Sequence, residues 1–226
     1  MQKGIFYLLL ILMIDKKQTN NFCLRWQGKQ RRIGITGGIA SGKTLIGNFL
    51  FEHKKWPILD ADLYAHEALK PESQISKKVL LRYGDQIIKQ PTKSQQIINR
   101  KALAQIIFQN NIEKNWLEEI IHPLVKKRIE EDLDKFKSNS VILLIIPLLF
   151  EKNYTGLCSE ICYIDCSRRM QLKRLQSRDQ LSLEEANQRI DAQWDNASKK
   201  QFADHIINNS NNDETWKLQL KTLYNF

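Results

Sequence analysis

The run Gly37-Gly38-Ile39-Ala40-Ser41-Gly42-Lys43-Thr44 fits the pattern G-x-x-x-x-G-K-[ST], and it constrains the fold more than any other feature of the chain. Arg32-Ile33-Gly34-Ile35-Thr36 before it reads as a short strand, and a helical pattern follows it through Phe51. Strand, glycine-rich turn and helix in that order make a phosphate cradle. The glycines let the backbone turn tightly so that its N–H groups converge on a β-phosphate, and the helix N-terminus adds partial positive charge. Lys43 is placed to reach the β- and γ-oxygens, and the Thr44 hydroxyl to ligate Mg2+. The pattern predicts a bound nucleoside triphosphate and leaves the reaction open.

Four further strands complete a sheet. Trp56-Pro57-Ile58-Leu59 reads as the second and ends in Asp60-Ala61-Asp62. Ligands of open α/β sheets collect beyond the carboxyl ends of the strands, so these carboxylates should face the glycine loop. There they could hold a Mg2+ water or accept the proton of an attacking hydroxyl. The plainer reading makes Asp60 or Asp62 the N-cap of a helix over Leu63–Leu69. Val141–Ile146 is a continuous apolar run, as a central parallel strand requires, and Ile161–Asp165 and His205–Asn208 supply the last two. A motor-type ATPase would end the central strand in an acid, whereas Pro147 stands here, which counts against motors and helicases.

Between the second and third strands the apolar residues recur at helical spacing, from Ile97-Ile98 through Trp116-Leu117 to Ile129. His122-Pro123 reads as a junction between two helices, with Pro123 in the first turn of the second. Packing or capping accounts for His122 better than a functional role does. After the fourth strand, Ser167–Arg178 carries Arg168, Arg169, Lys173, Arg174 and Arg178 with no acid. Arg174 and Arg178, four apart, share a helix face. A second helix over Leu183–Trp194 includes Arg189 and Gln193. Two such helices match a lid that closes over phosphates, the alternative being a solvated basic face.

The predicted architecture is therefore α/β, a P-loop NTPase-type parallel five-stranded sheet with flanking helices, a helical acceptor-binding insertion and a small helical lid. The core takes 32–62, 138–166 and 196–226, the insertion 63–137 and the lid 167–195, with 1–31 an N-terminal extension. In that extension Ile5–Ile14 is a ten-residue apolar run, half of the roughly 20 residues that cross a bilayer. No small-x-small cleavage site follows it, so a surface helix or strand, or an early start with Met13 as the alternative, accounts for it better than a secretory signal. Cys158, Cys162 and Cys166 lie along a strand at spacings of roughly 13 Å, too far apart to share an ion, and read as small buried hydrophobes of a reducing cytosol.

Composition enters through charge. The 226 residues carry 35 Lys+Arg and 25 Asp+Glu, a formal +10 that raises the question of a nucleic-acid partner. Residues 1–32 hold seven basic residues and one acidic, and the lid segment adds five more positive charges, so the rest of the chain is close to neutral. The basicity is two local features, and no nucleic-acid partner is expected.

The sequence resembles the dephospho-CoA kinase family from about Ile33 to Asn209. The marks are Thr36–Thr44, Asp60-Ala61-Asp62, Arg100 with Ala102-Leu103 and Phe108, His122-Pro123, and Pro147-Leu148-Leu149-Phe150-Glu151. Further along come Gln171-Leu172-Lys173-Arg174, Arg178-Asp179, Arg189 with Gln193, Ala203-Asp204 and Asn208-Asn209. The family usually has glycine where Ala40 stands, which is compatible if that position has a negative φ. The resemblance implies ATP-dependent phosphorylation of the ribose 3′-hydroxyl of dephospho-CoA, giving CoA and ADP. ATP would be held by Gly37, Gly38, Ile39, Ala40, Ser41, Gly42, Lys43, Thr44, Leu45, Arg174 and Arg178, with Mg2+ on Thr44 together with water. Asp62 would be the base, supported by Asp60, Lys43 and Arg174 would stabilise the transferring phosphoryl group, and Asp62, Arg100 and His122 would hold the acceptor. A cytoplasmic enzyme without stable membrane insertion is expected, and the sequence leaves the oligomeric state open, with a monomer favoured. Other small-molecule P-loop kinases, of the nucleoside monophosphate, shikimate or gluconate type, share the same parts, and a P-loop nucleic-acid-binding regulator is the alternative of another class.

Overall fold

The computed structural model describes residues 24–88, 97–211 and 213–226. The reading of Ile5–Ile14 lies outside the described residues. In chain order the elements are β1 (Arg31–Thr36), α1 (Lys43–Lys54), β2 (Ile58–Asp60), α2 (Ala61–Ala68), α3 (Gln74–Tyr83), α4 (Arg100–Gln109) and α5 (Asn111–Lys135). They continue with β3 (Val141–Ile145), β4 (Glu160–Asp165), α6 (Arg168–Asp179), α7 (Leu183–Asp191), α8 (Asn196–Lys200), β5 (His205–Asn208) and α9 (Thr215–Tyr224). The chain divides into two compact units, one spanning 61–133 and the other, among the described residues, 24–60 with 134–226.

The second unit is built on the five-stranded sheet, in the order β2-β3-β1-β4-β5 and parallel throughout. Its central strands are apolar because both faces are covered: Ile33, Ile35, Leu143, Ile145, Cys162 and Ile164 join Ile46, Phe49 and Leu50 of α1 and Trp216, Leu220 and Tyr224 of α9 in one core. β2 starts at Ile58 rather than at Trp56, because Pro57 has no N–H to give the ladder and contributes only its carbonyl, to Leu143 N at 2.9 Å. The second lid helix stops at Asp191 instead of reaching Trp194, since Asp195 already caps α8 by accepting from Ser198 N at 2.8 Å. α2 begins at Ala61, so Asp62 lies inside the first helical turn, where the macrodipole favours a carboxylate, and is not a cap ahead of Leu63.

The first unit is helical, with Ile88 and Ile98 forming one antiparallel bridge. Its α5 corrects the expectation of a junction at His122-Pro123, for the helix runs through Pro123 without a break. Leu117, Ile121, Val125, Ile129 and Leu133, each four residues from the next, form a buried stripe that continues on both sides of the proline. An interior proline costs about 3 kcal/mol, and burying each of five large side chains returns about 1.5–3 kcal/mol, so packing carries the helix through. Glu113 in its first turn receives Arg82 at 2.6 and 2.9 Å and the Tyr83 hydroxyl at 2.6 Å, and these hydrogen bonds hold its carboxyl down at about 2.

Two features of the sheet unit bear on the site. Ala40 has φ +57°, against the expectation of a negative φ. The sharp turn from β1 into α1 demands the left-handed region there whatever the side chain, so the alanine sits where glycine would be unstrained. The second feature is an ion pair between Lys199 of α8 and Glu151, at 2.5 Å with both side chains fully buried. It ties the segment after β3 to the segment before β5.

Ala40→Gly is expected to raise stability by about 1 kcal/mol by removing that strain, read as a higher urea midpoint at unchanged slope. Lys199→Met leaves a buried carboxylate without its cation and is expected to cost about 3–5 kcal/mol. Lys200→Met, at the partly exposed pair with Asp165, is the control and should cost about 1 kcal/mol or less.

Candidate active site

The loop between β1 and α1 is shaped by two glycines that no other residue could replace. Gly37 has φ +150°, and a Cβ there would stand 2.5 Å from Ile164 O; Gly42 has φ +98°, and a Cβ there would meet Asn209 Nδ2 at 2.3 Å. Gly42 precedes α1 and has no side chain to cap it, and no acid stands in the first turn, so the positive end of the helix faces the loop. Lys43, only 4% exposed, curls back over the loop and donates from Nζ to Gly37 O and Gly38 O, each at 2.9 Å. Thr44 and Leu45 follow in the exposed first turn of α1. Ser41 N donates to Gly38 O at 3.2 Å, closing the turn.

Side chains from much later in the sequence satisfy the rest of the loop. Gln171 Nε2 donates to Ile39 O at 2.7 Å, and Gln193 Oε1 accepts from Ile39 N at 2.8 Å. The Tyr163 hydroxyl donates to Asn196 Oδ1 at 2.7 Å, and that oxygen stands 3.1 Å from where a Cβ on Gly38 would lie. Asn209 Nδ2 donates to Ser41 O at 2.7 Å. Arg174 extends NH1 toward Ala40 O and Ser41 O, at 3.3 and 3.5 Å, and NH2 toward Asn209 Oδ1 at 3.4 Å. Its NH1 also stands 3.4 Å from the Cys166 sulfur, whose thiol is pushed up chiefly by burial. Beside these groups a cavity of about 470 Å3 is lined by Leu45, Asn48, Phe49, Arg174, Asn209 and Trp216 among others.

The lid arginines divide their work. Arg178 makes a two-point ion pair with Asp179 at 2.8 and 2.9 Å, and Arg189 of α7 reaches the same carboxylate at 2.9 Å. Arg168 holds Asp191 at 2.6 and 3.0 Å and Asn187 at 2.6 Å. The contacts of Arg189 and Arg168 bind α6 and α7 to each other, whereas the Arg178–Asp179 pair stays within α6 and Arg174 turns to the loop. Asp179 stands one residue past the acid-free basic run and Asp191 further on, so reading that run by itself misses both partners.

The glycine loop, Lys43, Thr44, Leu45, Arg174 and Asp60 belong to the sheet unit. Asp62, Arg100 and His122 belong to the helical unit. There, Arg100 NH1 contacts the His66 ring nitrogens at 2.8 and 2.9 Å, and burial lowers its pKa. The family marks include Gln171, Gln193 and Asn209 without giving them a role, and Tyr163 and Asn196 carry no motif. One signal for Gln171 does exist, because it lies four residues before Leu175 on the buried face of α6, where a polar amide needs a partner.

With the site described, likeness to known proteins becomes informative. The family model for dephospho-CoA kinase matches residues 31–214. The chain is 79% identical over 214 residues to a dephospho-CoA kinase of Prochlorococcus marinus strain NATL2A, covering 95% of this chain and 100% of that one. It is 51% identical over 191 residues to the dephospho-CoA kinase of Prochlorococcus marinus strain SARG, covering 84% and 91%. Among solved structures, dephospho-CoA kinase from Campylobacter jejuni superposes with a TM-score of 0.62 at 28% identity, covering 85% of this chain and 94% of that one. A match of this extent, spanning the glycine loop, the lid and the sheet that joins them, makes the chain a member of the dephospho-CoA kinase family.

Proposed function

We infer that this chain, as a dephospho-CoA kinase, transfers the γ-phosphoryl group of ATP to the ribose 3′-hydroxyl of dephospho-CoA, releasing CoA and ADP in the final step of coenzyme A biosynthesis. The observation that carries the reading is the braced glycine loop with Lys43 held over it, in a chain of this family. Phosphoryl transfer asks a protein mainly for positioning and charge compensation. The loop amides at the start of α1 would bind the β-phosphate, and Lys43 would exchange its two carbonyl partners for β- and γ-oxygens. The cavity beside Leu45, Arg174, Asn209 and Trp216 would take the nucleoside, with a guanidinium plane for the base to stack on.

Asp62 is assigned as the group that accepts the acceptor hydroxyl's proton. It stands in the first turn of α2, at the end of the helix where the dipole favours negative charge. Arg100 and His122 are assigned to the anionic acceptor. Thr44 and Asp60 offer hydroxyl and carboxylate oxygens, the hard donors that Mg2+ takes. Among the described residues no group of three or more His, Cys, Asp or Glu could hold an ion unaided, which fits a metal held mainly by water and phosphate. Bound with ATP, the ion would offset charge on the β- and γ-phosphates. A cytoplasmic setting is supported by the free, buried thiols of Cys158, Cys162 and Cys166, the first two pushed up to about 12 by burial. Among the described residues no helix is long and apolar enough to cross a membrane.

A coupled ADP-release assay with dephospho-CoA, AMP, shikimate and gluconate as acceptors tests the reaction, and turnover is expected with dephospho-CoA. Turnover confined to another acceptor would overturn the reading. Lys43→Ala should lower kcat by at least about 100-fold with the unfolding midpoint retained. Asp62→Asn should lower kcat by about 100- to 10,000-fold with ATP still bound, as measured by calorimetric titration. Near-full activity in that variant would move the base to Asp60.

A further inference from the structure

Both stems of the lid hairpin meet the glycine loop at a single residue. Gln171, in the first turns of α6, stands where the chain enters the hairpin, and Gln193, two residues beyond α7, where it leaves. The first donates to the Ile39 carbonyl at 2.7 Å and the second accepts the Ile39 N–H at 2.8 Å. The two glutamines are only 1% and 5% exposed. Between these stems α6 and α7 are already tied to each other by Arg168–Asp191 and by Arg189–Asp179. The amide orientations are forced, because an N–H can only donate and a carbonyl can only accept. Among the described residues the opposite ends of both amides, Gln171 Oε1 and Gln193 Nε2, are buried without a hydrogen-bond partner. Each side chain is thus desolvated for one bond, and both bonds go to Ile39.

The two peptide planes flanking Ile39 control different parts of the site. The plane between Gly38 and Ile39 offers its N–H to Gln193, and its carbonyl, Gly38 O, receives Lys43 Nζ at 2.9 Å and Ser41 N at 3.2 Å. Turning this plane would shift the acceptor that holds Lys43. The plane between Ile39 and Ala40 offers its carbonyl to Gln171, and its orientation sets the φ of Ala40, which is +57°. A residue held in the left-handed region persists only where its surroundings fix it.

We propose that Gln171 and Gln193 are positioning residues that lock the peptides on either side of Ile39 to the lid hairpin, so that lid and glycine loop reach their phosphate-competent geometry together. The proposal rests on the reading that this loop binds ATP. Neither side chain touches a reacting atom; each acts through the backbone that orients Lys43 and the loop amides.

Direction of bonding gives the test. Gln193→Glu keeps an acceptor for the Ile39 N–H, whereas Gln171→Glu, assayed at pH 8, sets a carboxylate against the Ile39 carbonyl. Both variants add the same charge beside the same residue, so a difference between them reports the bonds and not the charge. Gln193→Glu is expected to stay within about threefold of the wild type in kcat/KM for ATP, and Gln171→Glu to fall by about 10- to 100-fold. Equal losses, the reverse order, or wild-type values for both would overturn the proposal. Gln171→Met and Gln193→Met keep volume and neutrality and remove one bond each. Both are expected to bind ATP more weakly by calorimetry and to lose kcat while their unfolding midpoints show a folded enzyme, and wild-type ATP affinity and kcat in the folded Met variants would overturn it too. Wild-type turnover with dephospho-CoA in the same assay reports on the reaction separately, and ATP affinity reads the lock whichever acceptor is used.

Discussion

A phosphate-binding loop has to keep its backbone polar groups converged without a strand ladder or a helix to hold them, and a buried N–H or carbonyl left unmade costs about 1–3 kcal/mol. In this protein that requirement is met by side chains. Gly38 is served by Lys43, Ile39 by Gln171 and Gln193, Ala40 and Ser41 by Arg174, and Ser41 again by Asn209. Apart from Lys43, every one of these residues follows β3 in the chain. They arrive because β1 lies between β3 and β4 and because β5 pairs with β4, so the C-terminal ends of β4 and β5 open beside the loop. The strand order is the means by which a six-residue turn receives its partners from more than 100 positions away.

What could be read from the chain alone follows from how local each signal is. Val141–Ile145 announces a strand buried on both faces because every residue of a doubly covered strand must be apolar. The glycine loop announces itself because its steric demands fall on its own residues. Pro123 misleads because the decision to continue α5 is made by Ile121 and Val125 against the rest of their unit, not by the proline. Ala40 misleads for a similar reason. Its φ is fixed by the closure of the loop between β1 and α1, and an alanine there carries the cost of a conformation it did not choose. Gln193 and Lys199 look like surface residues by type, and only their distant partners, Ile39 and Glu151, show that they are interior, while Gln171 is signalled by its spacing from Leu175 alone.

The positive charge of the chain takes on a different meaning once these partners are known. A run of five basic residues without an acid suggests a surface waiting for phosphate. In the structure, Arg178 is neutralised by its neighbour Asp179, and Arg168 by Asp191, the second pair joining α6 to α7. Arg174 faces the loop and the neighbouring cavity instead. Two helices tied across by side-chain pairs would pass a displacement on to their stems, where a flexible basic stripe would absorb it along the way.

The size of the terms at those stems matters for how such a lid can work. Two neutral hydrogen bonds to Ile39 stabilise the locked arrangement by about 1 kcal/mol each, while the left-handed Ala40 opposes it by about 1–2 kcal/mol. The sum is close to balance. A coupling of one or a few kcal/mol lies within what a ligand can drive through its different affinity for two states. A far stronger lock would hold the lid shut against product release, and a far weaker one would let the loop relax and leave Lys43 without a fixed acceptor. Glutamine suits that intermediate strength. Its amide offers a donor or an acceptor as the peptide requires, and each neutral bond keeps to about 1 kcal/mol.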